Sequence, residues 1–131
     1  MHFLIYTDGG SRGNPGPAAA GYTVNGKSYG KYLGKTTNNV AEYTAIQLAL
    51  EKALAEAGDN ALDAAVEVRL DSELAQRQLT GRYKVKNAGL RPIFESVRRL
   101  CGQFKSVSFT HVPREQNKEA DAAVNRVLDA L

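Results

Sequence analysis

Three strand-like runs come first in this chain and helical patterns only afterwards, an order that leaves few folds open. Residues 2–8 are short, apolar and aromatic-rich, and they read as a buried strand ending at Asp8. Gly9 to Pro17 is dense in turn residues and predicts a loop. Residues 18–24 and 28–33 read as two further strands joined at Asn25-Gly26, the dipeptide best suited to positive φ in a hairpin. Then the period changes. Asn38 or Asn39 is expected to cap a long helix to about Ala57, with Ile46, Ala49, Leu50, Ala53 and Leu54 on one stripe. Gly58-Asp59-Asn60 ends it. Residues 65–71 alternate Val66, Val68 and Leu70 with Glu67, Arg69 and Asp71, the pattern of a strand. Ser72 opens a short helix, and Leu90 to about Gln103 predicts another. Lys105 to Val112 alternates as a last strand, with Val107, Phe109 and His111 on one face, and Asn117 caps a C-terminal helix. A meander followed by alternating helix and strand specifies an α/β sandwich on a mixed sheet.

Within that frame four acids, Asp8, Glu42, Asp71 and Asp121, sit where apolar elements begin or end. Each has an ordinary structural explanation. Asp8 lies on the strand face of Leu4 and Tyr6 and could start an Asx turn. Asn39-x-x-Glu42 resembles a capping box, although Glu42 shares its stripe with Ala45, Ile46 and Ala49 and so faces the core. Asp71 could favour the dipole of the helix opened by Ser72, and Asp121 sits one turn into the last helix beside Val124 and Leu128. Taken together they are harder to explain away. Gathering carboxylates in a fold costs several kcal/mol unless a cation lies between them, and a divalent metal is the simplest such partner. Ligand sites in open α/β sheets collect at strand C-terminal ends, where two of these acids fall.

Composition narrows the setting. At 131 residues, 43% hydrophobic and 24% charged, the chain reads as one globular domain over residues 1–131, with no repeat or low-complexity segment. No apolar run approaches the roughly 18 residues of a membrane span. The run Phe3 to Tyr6 has no basic leader and is not expected to be a signal peptide. Cys101 is the single cysteine, which excludes a disulfide framework and a thiolate metal site; it reads as a buried structural thiol, and a cytoplasmic setting is expected. The net charge of +3 is unevenly spread: residues 82–118 hold nine Lys/Arg against Glu95 and Glu115, a balance of +7, leaving −4 for the rest. A basic part beside an acidic cluster suits a polyanion held by one and cut at the other, although any single Lys or Arg is more often a solvated surface charge. Gly21 to Ser28 matches the phosphate-loop pattern literally, but it reads as strand and tight turn with no helix after it, so nucleotide triphosphate binding is rejected there.

Four segments carry a family resemblance. Tyr6-Thr-Asp-Gly-Gly-Ser-Arg-Gly-Asn-Pro-Gly-Pro17 resembles the opening of a type 1 ribonuclease H. Thr36-Thr-Asn-Asn-Val-Ala-Glu-Tyr43, Leu70-Asp-Ser-Glu73 and Pro113-Arg-Glu-Gln-Asn-Lys-Glu-Ala-Asp121 are similar to that family's three later acidic motifs, in order along the whole chain. The resemblance implies a ribonuclease H-like fold: a five-stranded mixed sheet, three antiparallel meander strands then two parallel, flanked by helices. It implies endonucleolytic cleavage of the RNA strand of an RNA–DNA hybrid, leaving 5′-phosphate and 3′-hydroxyl ends. Asp8, Glu42, Asp71 and Asp121 would hold two Mg²⁺ ions roughly 3.5–4 Å apart, with Mn²⁺ as a possible substitute. Hard oxygen ligands fit those ions and argue against zinc.

Substrate contacts follow from the same resemblance. Telling RNA from DNA requires reading the 2′-hydroxyl. The loop containing Gly9, Gly10 and Asn14 would let backbone approach the minor groove, with Asn14, Asn38 and Asn39 offering donors and acceptors alongside their turn and cap roles. Ser72 lies in the third motif and joins these candidate contacts. Thr37 and Asn87 match positions where the family grips a DNA-strand phosphate, and Arg82, Lys84 and Lys86 would add salt-sensitive attraction. Two departures stand out. The loop Pro113 to Lys118 lacks the histidine that many members carry there; His111 precedes it on a strand face as a packed or edge residue, with Glu115 and Arg114 as weak candidates to replace it. Leu79 to Gly89 is too short for the basic protrusion of some members. The partner expected is an RNA–DNA hybrid, with no membrane and a monomeric protein. Two other readings stay open: a related-fold DNA recombination nuclease or exonuclease, and a hybrid-binding module without catalysis.

Overall fold

The computed structural model describes residues 1–131. Its elements run β1 (His2–Ser11), β2 (Gly16–Val24), β3 (Lys27–Thr36), α1 (Asn38–Ala57), a 3₁₀ turn (Gly58–Asp63), β4 (Ala65–Leu70), α2 (Glu73–Leu79), α3 (Arg91–Cys101), β5 (Ser106–His111), a second 3₁₀ turn (Arg114–Gln116) and α4 (Lys118–Asp129). The five strands form one sheet in the order β3-β2-β1-β4-β5. β1, β2 and β3 pair antiparallel, while β4 lies parallel to β1 and β5 parallel to β4. The expected ribonuclease H-like α/β architecture is the one observed.

Alternation along the strands decides which helix covers which face. Phe3, Ile5, Val66, Val68 and Leu70 point to one side and bury against Ile46 and Leu50 of α1, with Val97 of α3 in the same core. Each such side chain contributes about 1.5–3 kcal/mol relative to exposure. The buried face of α1 is lined by Ala41, Ala45, Ala49 and Ala53, whose small side chains let the helix lie close. A smaller cluster, Ala19, Val124 and Leu128, fixes α4 on the opposite face. Here Gly21 is required, because a Cβ would overlap the carbonyl of Ala120 in α4. No helix is long and apolar enough to cross a membrane.

Several local expectations are corrected. β1 does not end at Asp8. It continues through Gly9, Gly10 and Ser11, which pair with Ala20, Ala19 and Ala18, so the predicted Gly9–Pro17 loop shrinks to the residues between Ser11 and Gly16. Neither Asn38 nor Asn39 caps α1; Thr37 does, its hydroxyl accepting from the Val40 N–H at 3.2 Å. With α1 starting at Asn38, Glu42 lies beyond the third helical position and the proposed capping box does not form. Asn117 precedes α4 but makes no side-chain cap bond. Ser72 does cap α2, accepting from the Ala75 N–H at 3.2 Å. Cys101 is half-buried, and burial pushes its thiol up to about 11. His111 is exposed on β5, a sheet edge.

Candidate active site

The last pair joining β1 to β4 is Thr7 with Leu70, so Asp8 and Asp71 are the next residues of each strand line. β1 carries on past that point while β4 stops, which leaves Asp8 overhanging the end of β4. Glu42 reaches the same place from α1 and Asp121 from the first turn of α4. Gly9 makes the approach of α1 possible: a Cβ there would overlap the Ala41 carbonyl and the Glu42 backbone nitrogen. All four acids line one open cleft of about 330 Å³, together with Gly9, Gly10, Ser11, Asn38 and Arg114.

Crowding changes their chemistry. The Asp8 carboxyl is pushed up to about 8, first by burial, then by the negative charges of Asp71 and Asp121 and a hydrogen bond shared with Asp121; the Gly9 N–H opposes the shift. Glu42 is pushed up to about 7, again mainly by burial, with a hydrogen bond from Ser72 pulling down and Asp71 pushing up. Ser72 therefore caps α2 and contacts a cleft acid at once. No three side chains close into a preformed ligand cage. The oxygens lining the cleft come from carboxylates, amides and the Ser11 hydroxyl, with neither thiol nor imidazole among the lining groups, a set that fits a hard divalent ion such as Mg²⁺ or Mn²⁺. A cation there would favour the ionised forms that burial, and after it mutual repulsion, disfavour in Asp8 and Glu42.

The other expected contacts divide in two. Gly9 and Gly10 line the cleft as strand residues, not as loop. Asn14 and Asn38 are tied together: the Asn38 N–H donates to Asn14 Oδ1 at 3.0 Å, and Asn38 Oδ1 accepts from the Ser11 N–H at 2.8 Å and the Ser11 hydroxyl at 3.1 Å. Their oxygens hold the loop to the start of α1, which leaves their NH₂ groups for other partners. Asn39 is exposed in the first helical turn, and the Thr37 hydroxyl accepts its cap bond while keeping its own proton to donate. Arg82, Lys84, Lys86 and Asn87 lie apart from the acids, exposed on the irregular stretch between α2 and α3. Lys84 and Lys86 line a second groove with Tyr83, Arg91, Phe94 and Arg98. Asn87 Oδ1 accepts from the Gly89 N–H at 2.7 Å.

Sequence reasoning gave Asn117 a capping role and missed its place beside the acids. Its side chain is buried, and its Nδ2 donates to the Thr7 carbonyl at 2.8 Å and to Asp71 Oδ2 at 3.2 Å. The Asn117 Oδ1 is buried with no donor facing it, an arrangement that costs about 1–3 kcal/mol. Its one sequence signal was its place four residues before Asp121 in the last acidic motif. Of the two residues weighed as replacing a loop histidine, Arg114 lines the acid cleft, whereas Glu115 faces a separate hollow with Tyr6 and Lys118.

A mixed five-stranded sheet gathers four carboxylates at the overhang of β1 past β4, the arrangement expected of a ribonuclease H-like fold. Comparison with known proteins agrees. Residues 7–127 match the reverse transcriptase-like family model. The chain is 43% identical over 130 residues to Ribonuclease HI of Halobacterium salinarum, covering 95% of this chain and 63% of that protein. It superposes on the crystal structure of RNase H1 from that halophilic archaeon with a TM-score of 0.90 and 41% identity, each chain fully covered. LC11-RNase H1, isolated from compost, has been solved in complex with an RNA/DNA hybrid; it matches at TM-score 0.91 and 43% identity over 98% of this chain and 97% of that one. The chain belongs to the type 1 ribonuclease H family. It spans less than two thirds of the length of the halobacterial Ribonuclease HI with which it shares 43% identity.

Proposed function

We propose that this protein is an endoribonuclease that cleaves the RNA strand of RNA–DNA hybrids by two-metal-ion hydrolysis, leaving 5′-phosphate and 3′-hydroxyl ends. The observation that carries the reading is the convergence of Asp8, Glu42, Asp71 and Asp121 on one cleft, with two of them pushed far above the usual carboxylate range. These four residues would hold the metal. When bound, a pair of Mg²⁺ ions supplies an activated water and charge stabilisation at the leaving 3′ oxygen.

The remaining work falls to this chain's own side chains. Ser72 donates to Glu42 and so favours its ionised form. The NH₂ groups of Asn14 and Asn38, whose oxygens are already bonded, and that of Asn39 would donate to the 2′-hydroxyls and base edges of the RNA strand, whose wide minor groove exposes both. Gly9 and Gly10 leave the cleft wall low on that side. Thr37 and Asn87 would grip a DNA-strand phosphate, and Arg82, Lys84 and Lys86 would add a sequence-independent, salt-sensitive attraction for the hybrid. The hybrid seen with LC11-RNase H1 supports that choice of substrate. A monomeric single catalytic domain over residues 1–131 and a cytoplasmic setting belong to the same proposal.

The test uses end-labelled RNA–DNA hybrid, duplex RNA and duplex DNA with Mg²⁺, Mn²⁺ or chelator, comparing wild type with Asp8→Asn. Metal-dependent cutting confined to the RNA strand of the hybrid is expected. Equal cutting of duplex DNA would point to a recombination nuclease or exonuclease instead, and tight hybrid binding without cutting to a non-catalytic module.

A further inference from the structure

We propose that Asn117 is a positioning residue that sets the placement of three of the four acids, and through them the affinity of the cleft for divalent metal. This rests on the metal reading above. Its side-chain nitrogen makes two of the links, one to the main chain beside Asp8 and one to Asp71, and its main-chain carbonyl makes the third, to Asp121. Its Nδ2 donates at 2.8 Å to the Thr7 carbonyl, the oxygen of the peptide that joins Thr7 to Asp8. The same NH₂ donates to Asp71 Oδ2 at 3.2 Å. Its own backbone carbonyl accepts from the Asp121 N–H at 3.1 Å. One residue, 1% exposed, therefore ties β1, the residue after β4 and the first turn of α4 into one unit.

Chemistry fixes which way the amide points. A backbone carbonyl and an ionised carboxylate only accept, so the NH₂ must face them and Oδ1 is turned to the far side. No donor waits there. The helix-cap bond that an asparagine in this position would normally make is also absent. The side chain is thus held in place by what its NH₂ does. A donor on Oδ2 restricts rotation of the Asp71 carboxylate and so presents its second oxygen in a defined direction. The contact to Thr7 does the same for the main chain that carries Asp8. Glu42 lies outside this set and is steadied separately by Ser72.

The test is calorimetric titration of Mn²⁺ into the metal-free protein, without substrate, for wild type, Asn117→Ala, Asn117→Ser and Val97→Ala. Val97 is fully buried in the core away from the cleft, so its variant reports destabilisation alone. Asn117→Ala should weaken Mn²⁺ binding by about 10-fold or more, whereas Val97→Ala should lower Tm with metal affinity unchanged. In hybrid cleavage, Asn117→Ala should need more metal for half-saturation while keeping the wild-type KM for hybrid. A folded Asn117→Ala that binds Mn²⁺ as tightly as wild type overturns the inference. Should that variant fail to fold, Asn117→Ser, which keeps one donor, is expected to show a smaller loss, and wild-type affinity in it overturns the inference equally. Wild-type protein that binds no Mn²⁺ removes the metal reading itself, a result distinct from unchanged affinity in the variants.

Discussion

The acid cleft and the basic stretch between α2 and α3 are built in opposite ways. The cleft acids stand on packed elements, partly buried, and their neighbours Ser72 and Asn117 are hydrogen-bonded to them and to the main chain. Arg82, Lys84 and Lys86 stand on irregular backbone, exposed, with no salt bridge among them. The difference matches the role proposed for each. Placing a charge to within a fraction of an ångström needs a rigid support. Attracting a phosphate backbone needs only charge at about the Debye length of 10 Å in moderate salt. Substitutions in the two regions should therefore fail differently, and the contrast can be broken by experiment.

The largest effect is expected at the cleft. Asp71→Asn keeps size and removes one charge, and should lower kcat by about 1000-fold or more while leaving the KM for hybrid nearly unchanged, in the manner of a lost transition-state interaction. Steady-state kinetics on a labelled hybrid check this. A KM that rises as steeply as kcat falls would mean that acids and cations share the gripping role.

The next effect concerns what the packing of the acids does to stability. In the unfolded chain Asp8 and Glu42 return to their usual values of 3.8 and 4.5; in the fold they are raised to about 8 and about 7. Between those limits the folded protein holds protons that the unfolded chain has lost. Metal-free stability is then fully present below about pH 4 and falls as pH rises, until both groups ionise in the fold near pH 8. Thermal melting in chelator from pH 5 to 9 should show Tm dropping by several degrees, and Asp8→Asn should flatten the drop. Excess Mg²⁺ should raise Tm most at the alkaline end. A flat wild-type profile would contradict the burial that sets the cleft apart from the basic stretch.

How much of this could be read beforehand differs between the regions for the same physical reason. Apolar alternation in residues 65–70 and the Ala-rich stripe of α1 are local signals, and both elements appear where expected. Gly9, Gly10 and Ser11 have poor strand propensity and read as a turn, yet pairing with Ala18 to Ala20 draws them into β1. Thr37, Asn38 and Asn39 are three adjacent residues able to cap, so propensity alone cannot choose between them. Thr37 takes the role and Asn38 is drawn off to Ser11. Asn117 has the residue type and position of a cap, but its partner Thr7 is 110 residues away in sequence. The acids were legible because four separate motifs marked them, and the basic residues only as a charge imbalance, since irregular backbone has no period to read.

The third effect sharpens the contrast from the basic side. Replacing Arg82, Lys84 and Lys86 together by Ala should raise KM for hybrid about 10-fold near physiological salt and leave kcat within a factor of about two. The slope of log affinity against log salt should become shallower by roughly 0.7–0.9 for each phosphate contact removed. Fluorescence anisotropy with a chelated hybrid complex measures the slope directly. An unchanged slope would show that the charges are merely solvated surface.

The smallest effect falls where cleft and helix meet. Ser72 accepts from the Ala75 N–H to cap α2 and donates to Glu42. Ser72→Ala loses both bonds, costing about 1 kcal/mol through the cap and pushing Glu42 further up. Ser72→Asp restores the cap acceptor but sets a like charge against Glu42, so the two roles separate. Ser72→Ala should lose stability and show an alkaline shift in the metal-dependent rate profile. Ser72→Asp should regain the helix while leaving Glu42 still harder to ionise. Recovery of both properties in Ser72→Asp would mean that the serine acts on the cleft only through the helix it caps.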